Sequence, residues 1–71
     1  VELIETLRHE NGFVRLDAHL ARLNNSAAAF GIAFDDAAIR AALDKAICGA
    51  RGMLRVRLAL DEGGAAHVTT A

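Results

Sequence analysis

Leu54-Arg55-Val56-Arg57-Leu58-Ala59-Leu60 is the stretch that decides the fold. Leu54, Val56, Leu58 and Leu60 recur at every second position, with Arg55 and Arg57 between them. That is the period of a strand with one covered face. Asp61-Glu62-Gly63-Gly64 follows as a turn, and Ala65 to Thr70 returns as a second strand anchored by Val68. Upstream of Met53 the period is helical. Leu20, Leu23, Ala27 and Phe30 fall on one face of a helix predicted over about 18–30, with Asp17 as N-cap and Gly31 at C′. A second helix is predicted from Asp35 to about residue 48, on the stripe Ile39, Leu43, Ala46 and Ile47, closed by Gly49. Phe34 and Ile39 stand at the spacing of a hydrophobic staple, and Asp36 adds a favourable charge to the first turn.

Toward the N-terminus, Asn11-Gly12 separates two apolar-rich stretches, a strong hairpin signal because a type I′ turn needs positive φ at both central residues. Strands are therefore expected over about 2–10 and 13–16. Val1, Leu3 and Leu7 share one parity and Ile4 takes the other, as in a central strand covered on both sides. Glu5 has the parity of the leucines, so its carboxylate needs a partner or a water-lined cleft. The order ββααββ describes an α+β domain, a mainly antiparallel sheet with two helices packed on one face.

The chain has 71 residues, enough for one small domain. Hydrophobic residues make up 54 %, but alanine supplies much of this and only three residues are aromatic, so the core rests on Leu, Ile, Val and Phe. The start at Val1 and the end inside a strand-like run are expected of a piece of something larger. A net charge of −1, without Tyr or Trp for stacking, argues against nucleic acid even though Arg8, Arg15, Arg55 and Arg57 are present. No apolar run approaches membrane-span length, and there is no signal-peptide layout, so a cytoplasmic setting is expected. Cys48 is alone, which excludes a disulfide framework and metal-ligand spacing, and a buried thiol is its expected state. His9 and His67 lie near strand ends and are expected to be exposed or edge residues, and the single lysine, Lys45, to be solvated on its helix.

The residues best suited to chemistry lie in His19-Leu20-Ala21-Arg22-Leu23. His19 and Arg22 are three apart and share a helical face. A guanidinium in an early helical turn, near free amide donors and the positive end of the dipole, suits an anion and above all a phosphate. His19 is expected to order the helix start through a backbone hydrogen bond.

Leu3-Ile4-Glu5-Thr6-Leu7-Arg8, Asn11-Gly12-Phe13-Val14-Arg15-Leu16-Asp17, His19-Leu20-Ala21-Arg22-Leu23 and Ser26-Ala27-Ala28-Ala29-Phe30-Gly31, in this order and spacing, resemble the opening of the class IV pyridoxal-phosphate enzymes. These include branched-chain and D-amino-acid aminotransferases and 4-amino-4-deoxychorismate lyase. The likeness runs through most of the chain and is strongest over positions 3–34. It is most similar to the lyase-type domain fused behind para-aminobenzoate synthase component I.

The resemblance implies that Arg22 matches the arginine of the family's His-x-x-Arg motif and holds the phosphate of pyridoxal 5′-phosphate. It also implies that the Schiff-base lysine, and the acidic partner of the pyridine nitrogen, lie beyond residue 71, so that residues 1–71 are the small N-terminal part of a larger, two-domain enzyme and are not catalytic alone. In several members an arginine-glycine pair near the substrate carboxylate follows the strand equivalent to 54–60. Leu60-Asp61-Glu62-Gly63-Gly64 lacks it, which argues against a close likeness to the D-amino-acid aminotransferases and leaves Arg57 as a candidate facing the cleft. The implied reaction is elimination of pyruvate from 4-amino-4-deoxychorismate to give 4-aminobenzoate, a folate precursor. An amino-acid aminotransferase small domain is the alternative within the family. A non-catalytic α+β interaction module is the alternative outside it. A homodimer, or a C-terminal domain of the same protein, is the expected partner.

Overall fold

The computed structural model describes residues 1–71. Its elements are β1 (Leu3–His9), α1 (Leu16–Phe30), α2 (Asp36–Ala46), β2 (Leu54–Leu60) and β3 (Ala66–Thr70). The strands form an antiparallel sheet in the order β1-β2-β3. The α+β architecture expected from the sequence is present, with β2 as the centre of the sheet and β1 at one edge. Leu3 pairs with Leu60 and Leu7 with Val56, so the leucines of β1 and the apolar parity of β2 share the helix-covered face. There Leu7, Val56, Leu58 and Leu60 meet Leu20, Leu23, Ala27, Ile32, Ile39 and Leu43 in one core. Each fully buried Leu or Ile in it contributes about 1.5–3 kcal/mol. The opposite face of the sheet carries no helix and is not covered, which corrects the expectation of a strand covered on both sides.

The segment 13–16 departs from the predicted strand. Asn11 and Gly12 do take positive φ, 55° and 127°, but the return is a single bridge between His9 and Phe13. Arg15 then adopts the left-handed conformation (φ 56°, ψ 37°) and turns the chain directly into α1, leaving no length for a ladder. Helix α1 consequently starts earlier than predicted and has no side-chain cap. Asp17 lies inside the first turn and accepts a hydrogen bond from Arg40 of α2 at 2.9 Å instead of capping. The far end follows expectation at Gly31 (φ 69°), whose N–H donates to Ala28 while Ile32 N–H donates to Ala27. This is a Schellman closure, and it swings Ile32 into the core. Phe30, predicted to share the apolar face, remains 59 % exposed as a result.

Helix α2 begins as its sequence dictates. The Asp35 carboxylate accepts the Ala38 N–H at 3.0 Å, Ile39 is buried, and Phe34 packs half-buried against the core. The β2–β3 turn is tied by Asp61, and Gly64 rests against the α1–α2 connection. A Cβ at Gly64 would lie 2.9 Å from the carbonyl oxygen of Ala33, and its φ is +87°. Cys48 is exposed, because α2 ends at Ala46 and the chain leaves the helix before the thiol can turn inward.

Candidate functional site

Strand β1 aims Leu3, Glu5, Leu7 and His9 at the helices. On this face Glu5 is the one carboxylate, and its side chain is only 13 % exposed. Two helical residues one turn apart meet it from α1. The Nδ1 of His19 lies 2.7 Å from Glu5 Oε1, and Arg22 Nη2 donates to the same oxygen at 3.2 Å. A carboxylate only accepts, so Nδ1 carries the proton, and the 3.4 Å approach of Arg22 to that nitrogen is proximity rather than a second bond. The partner that Glu5 required is thus the His19–Arg22 pair itself. His19 orders the helix through this side chain and not through a backbone group, contrary to the sequence expectation.

Arg22 keeps most of its guanidinium in solvent, 66 % exposed, while His19 is 19 % exposed. Arg15, Ala18, His19 and Arg22 line a shallow concavity on this side of α1. Arg15 makes no ion pair, so the concavity carries two guanidinium groups and no carboxylate in its lining. The donor set fits a phosphate. One Arg22 nitrogen is anchored, the remaining N–H groups of the fork point outward, and the first turn of α1 supplies unpaired backbone N–H groups.

Arg57 lies elsewhere. It projects from the uncovered sheet face between Thr6 and Thr69 in the register, 3.9 Å from Glu2, with no contact to Arg22. The same face bears Ile4, Arg8 and Arg55. Lys45 is exposed in the last turn of α2. His67 is exposed and bound to Asp61 at 2.9 Å, whereas His9 turns partly inward, edge-on to Phe13, with Nδ1 buried and unpartnered. No group of three or more His, Cys, Asp and Glu residues could hold a metal ion, and no helix is long and apolar enough to cross a membrane. Sequence reasoning singled out Arg22 as a candidate but not its tether to Glu5. The signal for the tether was the parity of Glu5, a lone carboxylate among inward leucines.

The amino-transferase class IV family model matches residues 2–70, and the chain belongs to that family. Among solved structures it is similar to one described as a "Putative amino-acid aminotransferase" from Mesorhizobium loti, with 46 % identity and a TM-score of 0.93. The alignment covers 99 % of this chain and 35 % of that one, so the chain spans about a third of the length of the protein it matches. No curated protein matches it.

Proposed function

We propose that these residues form the cofactor-phosphate-binding part of a pyridoxal-phosphate-dependent enzyme, with Arg22 as the phosphate ligand. The observation that carries this is the Arg22 guanidinium, held at one nitrogen by Glu5 and open at the others beside Arg15 and the start of α1. When bound, pyridoxal phosphate supplies an electron sink for charge that develops on the substrate. This chain's part is to bind and orient. Arg22 neutralises and grips the phosphate, the Leu20–Leu23 face of α1 fixes the helix against β1, and the open sheet face with Arg57 is offered to the substrate's anionic groups. Lys45 is too exposed and too remote in context to serve as the lysine of the chemistry, so that group comes from a further part of the polypeptide.

For the reaction we favour a lyase resembling 4-amino-4-deoxychorismate lyase. Its support is the Leu3-Ile4-Glu5-Thr6 opening together with the His19–Leu23 helix. Transamination of an amino acid is the second reading, favoured by the description of the Mesorhizobium loti protein. Incubating the complete protein with 4-amino-4-deoxychorismate separates the two. Release of pyruvate with 4-aminobenzoate supports the lyase, and transfer of an amino group from an amino acid to a 2-oxo acid supports the aminotransferase.

The cofactor role is tested by binding. Hydrogen bonds to charged groups contribute about 1.5–3 kcal/mol, so Arg22→Ala should weaken pyridoxal phosphate by about ten- to a hundred-fold. Arg22→Lys restores charge but not the fork, and should recover part of the loss. Arg51, exposed in the α2–β2 connection, is the control position. Equilibrium dialysis of the cofactor-free protein gives the three affinities, and equal values for wild type and Arg22→Ala would sink the assignment.

A further inference from the structure

We infer that Glu5 is a positioning residue for the cofactor phosphate, fixing the Arg22 guanidinium before the ligand arrives. The inference rests on the reading of Arg22 as the phosphate ligand and adds to it a residue that never touches the phosphate.

Glu5 occupies a place that packing alone would give to an apolar side chain. Leu3 and Leu7 flank it on the strand, Leu58 is its partner across the ladder, and the helix-covered face is otherwise almost wholly apolar. A carboxylate there gives up hydration and some core area, and its return in stability is small. Arg22 is mostly in solvent, and an ion pair to an exposed arginine contributes little. The pair does have a large effect on geometry. A free arginine on a helix surface samples many rotamers, and binding an anion must then order them. Anchored at one nitrogen to an oxygen held by the sheet, the guanidinium is ordered in advance. His19 completes the arrangement by donating to the same Oε1 at 2.7 Å, which keeps the carboxylate aimed along the helix face toward Arg22.

The location of the tether also decides which part of a ligand feels it. Glu5 lies behind Arg22 relative to the concavity lined by Arg15, Ala18, His19 and Arg22. Its loss should therefore be sensed through the phosphate and not through a pyridine ring bound elsewhere. Glu5→Gln keeps the shape and leaves a carbonyl oxygen for both donors, but removes the negative charge that strengthens the two hydrogen bonds.

The experiment measures two ligands, pyridoxal phosphate and pyridoxal, by equilibrium dialysis against the cofactor-free complete protein. Glu5→Gln should weaken pyridoxal phosphate by about three- to fivefold, the scale of the exposed ion pair that orders the guanidinium. Pyridoxal affinity should stay at the wild-type value, since it lacks the phosphate. In an Arg22→Ala background, Glu5→Gln should cause no further loss. Glu5→Asp, which retains the charge on a shorter arm, should fall between wild type and Glu5→Gln, and it carries the test if Glu5→Gln does not fold by circular dichroism. Parallel losses for both ligands would reduce Glu5 to a structural role and overturn the inference. So would wild-type affinity in both Glu5 variants while Arg22→Ala remains weak, and in that case the phosphate assignment survives. Wild-type affinity in Arg22→Ala removes the phosphate assignment, and the positioning role goes with it.

Discussion

Asp61 shows at one residue how a polar side chain builds a turn. Its Oδ1 accepts the N–H groups of Gly63 and Ala65, both at 2.9 Å, while Oδ2 faces His67 Nε2 at 2.9 Å. The hydrogen bond from His67 foremost, and then that from the Ala65 amide, hold the Asp61 carboxyl below its ordinary value. A carboxyl whose folded value is depressed contributes stability that is present above its unfolded value and is lost as pH falls through the folded one. The acid side is therefore where this turn weakens, below about pH 4. Asp61→Asn keeps an acceptor for the two amides but removes the titrating group and the charge facing His67. Its urea midpoint should lie below wild type at neutral pH, and the gap should close as the wild type is acidified. A gap that stays constant down to low pH would refute the account. Glu5 makes the complementary point about legibility. Its parity announced that a partner was needed, yet the partner lay fourteen residues away on α1, and single-strand patterning does not specify such a contact.

The two helices begin by different means, and only one is written locally. The start of α2 combines an Asp35 cap, an acidic first turn and an apolar staple, all within six residues, so the sequence located it closely. The start of α1 depends on the left-handed backbone of Arg15, for which a side chain with a Cβ offers no signature. The same conformation erased the expected strand over 13–16. Asp17, the sequence's choice of cap, is drawn instead to Arg40, which also holds Asp36 and so links the first turns of both helices. Both of those hydrogen bonds raise the Arg40 pKa above its ordinary value, Asp17 contributing most. Left-handed backbone costs an L residue about 1–2 kcal/mol, a cost that glycine escapes. Arg15→Gly should accordingly raise stability by up to about 1 kcal/mol after the added chain entropy of glycine is counted. Arg15→Val should lower it, and urea unfolding of the ligand-free protein measures both. Destabilisation by Arg15→Gly would mean that the arginine side chain, and not its backbone, holds the helix start.

At the scale of the molecule, the alternation in Leu54–Leu60 was enough to orient the sheet, because one face of β2 is wholly apolar. What the alternation could not reveal was that β1 has no strand on its far side, which depends on how much chain the 10–15 connection consumes, or that the other face stays uncovered. The candidate site was legible to the same extent. A helix face with His19 and Arg22 can be read from spacing, but its separation from Arg57 on the opposite side of the sheet follows only from the assembled layers. The fit of Gly64 against Ala33 likewise joins segments 31 residues apart that belong to different layers. It has a kinetic consequence. The β2–β3 turn can form by itself, and so can the α1–α2 connection, but their contact requires the helices and sheet to have docked already. It should therefore be missing from the folding transition state, with a φ-value near 0. Gly64→Ala, forced against the Ala33 carbonyl, should steepen loss of the native state by accelerating unfolding while leaving the refolding rate nearly untouched. Stopped-flow chevrons decide it: a slowed folding arm would place this contact in the nucleus, and an unchanged one would make Gly64 a determinant of how long the fold lasts once reached.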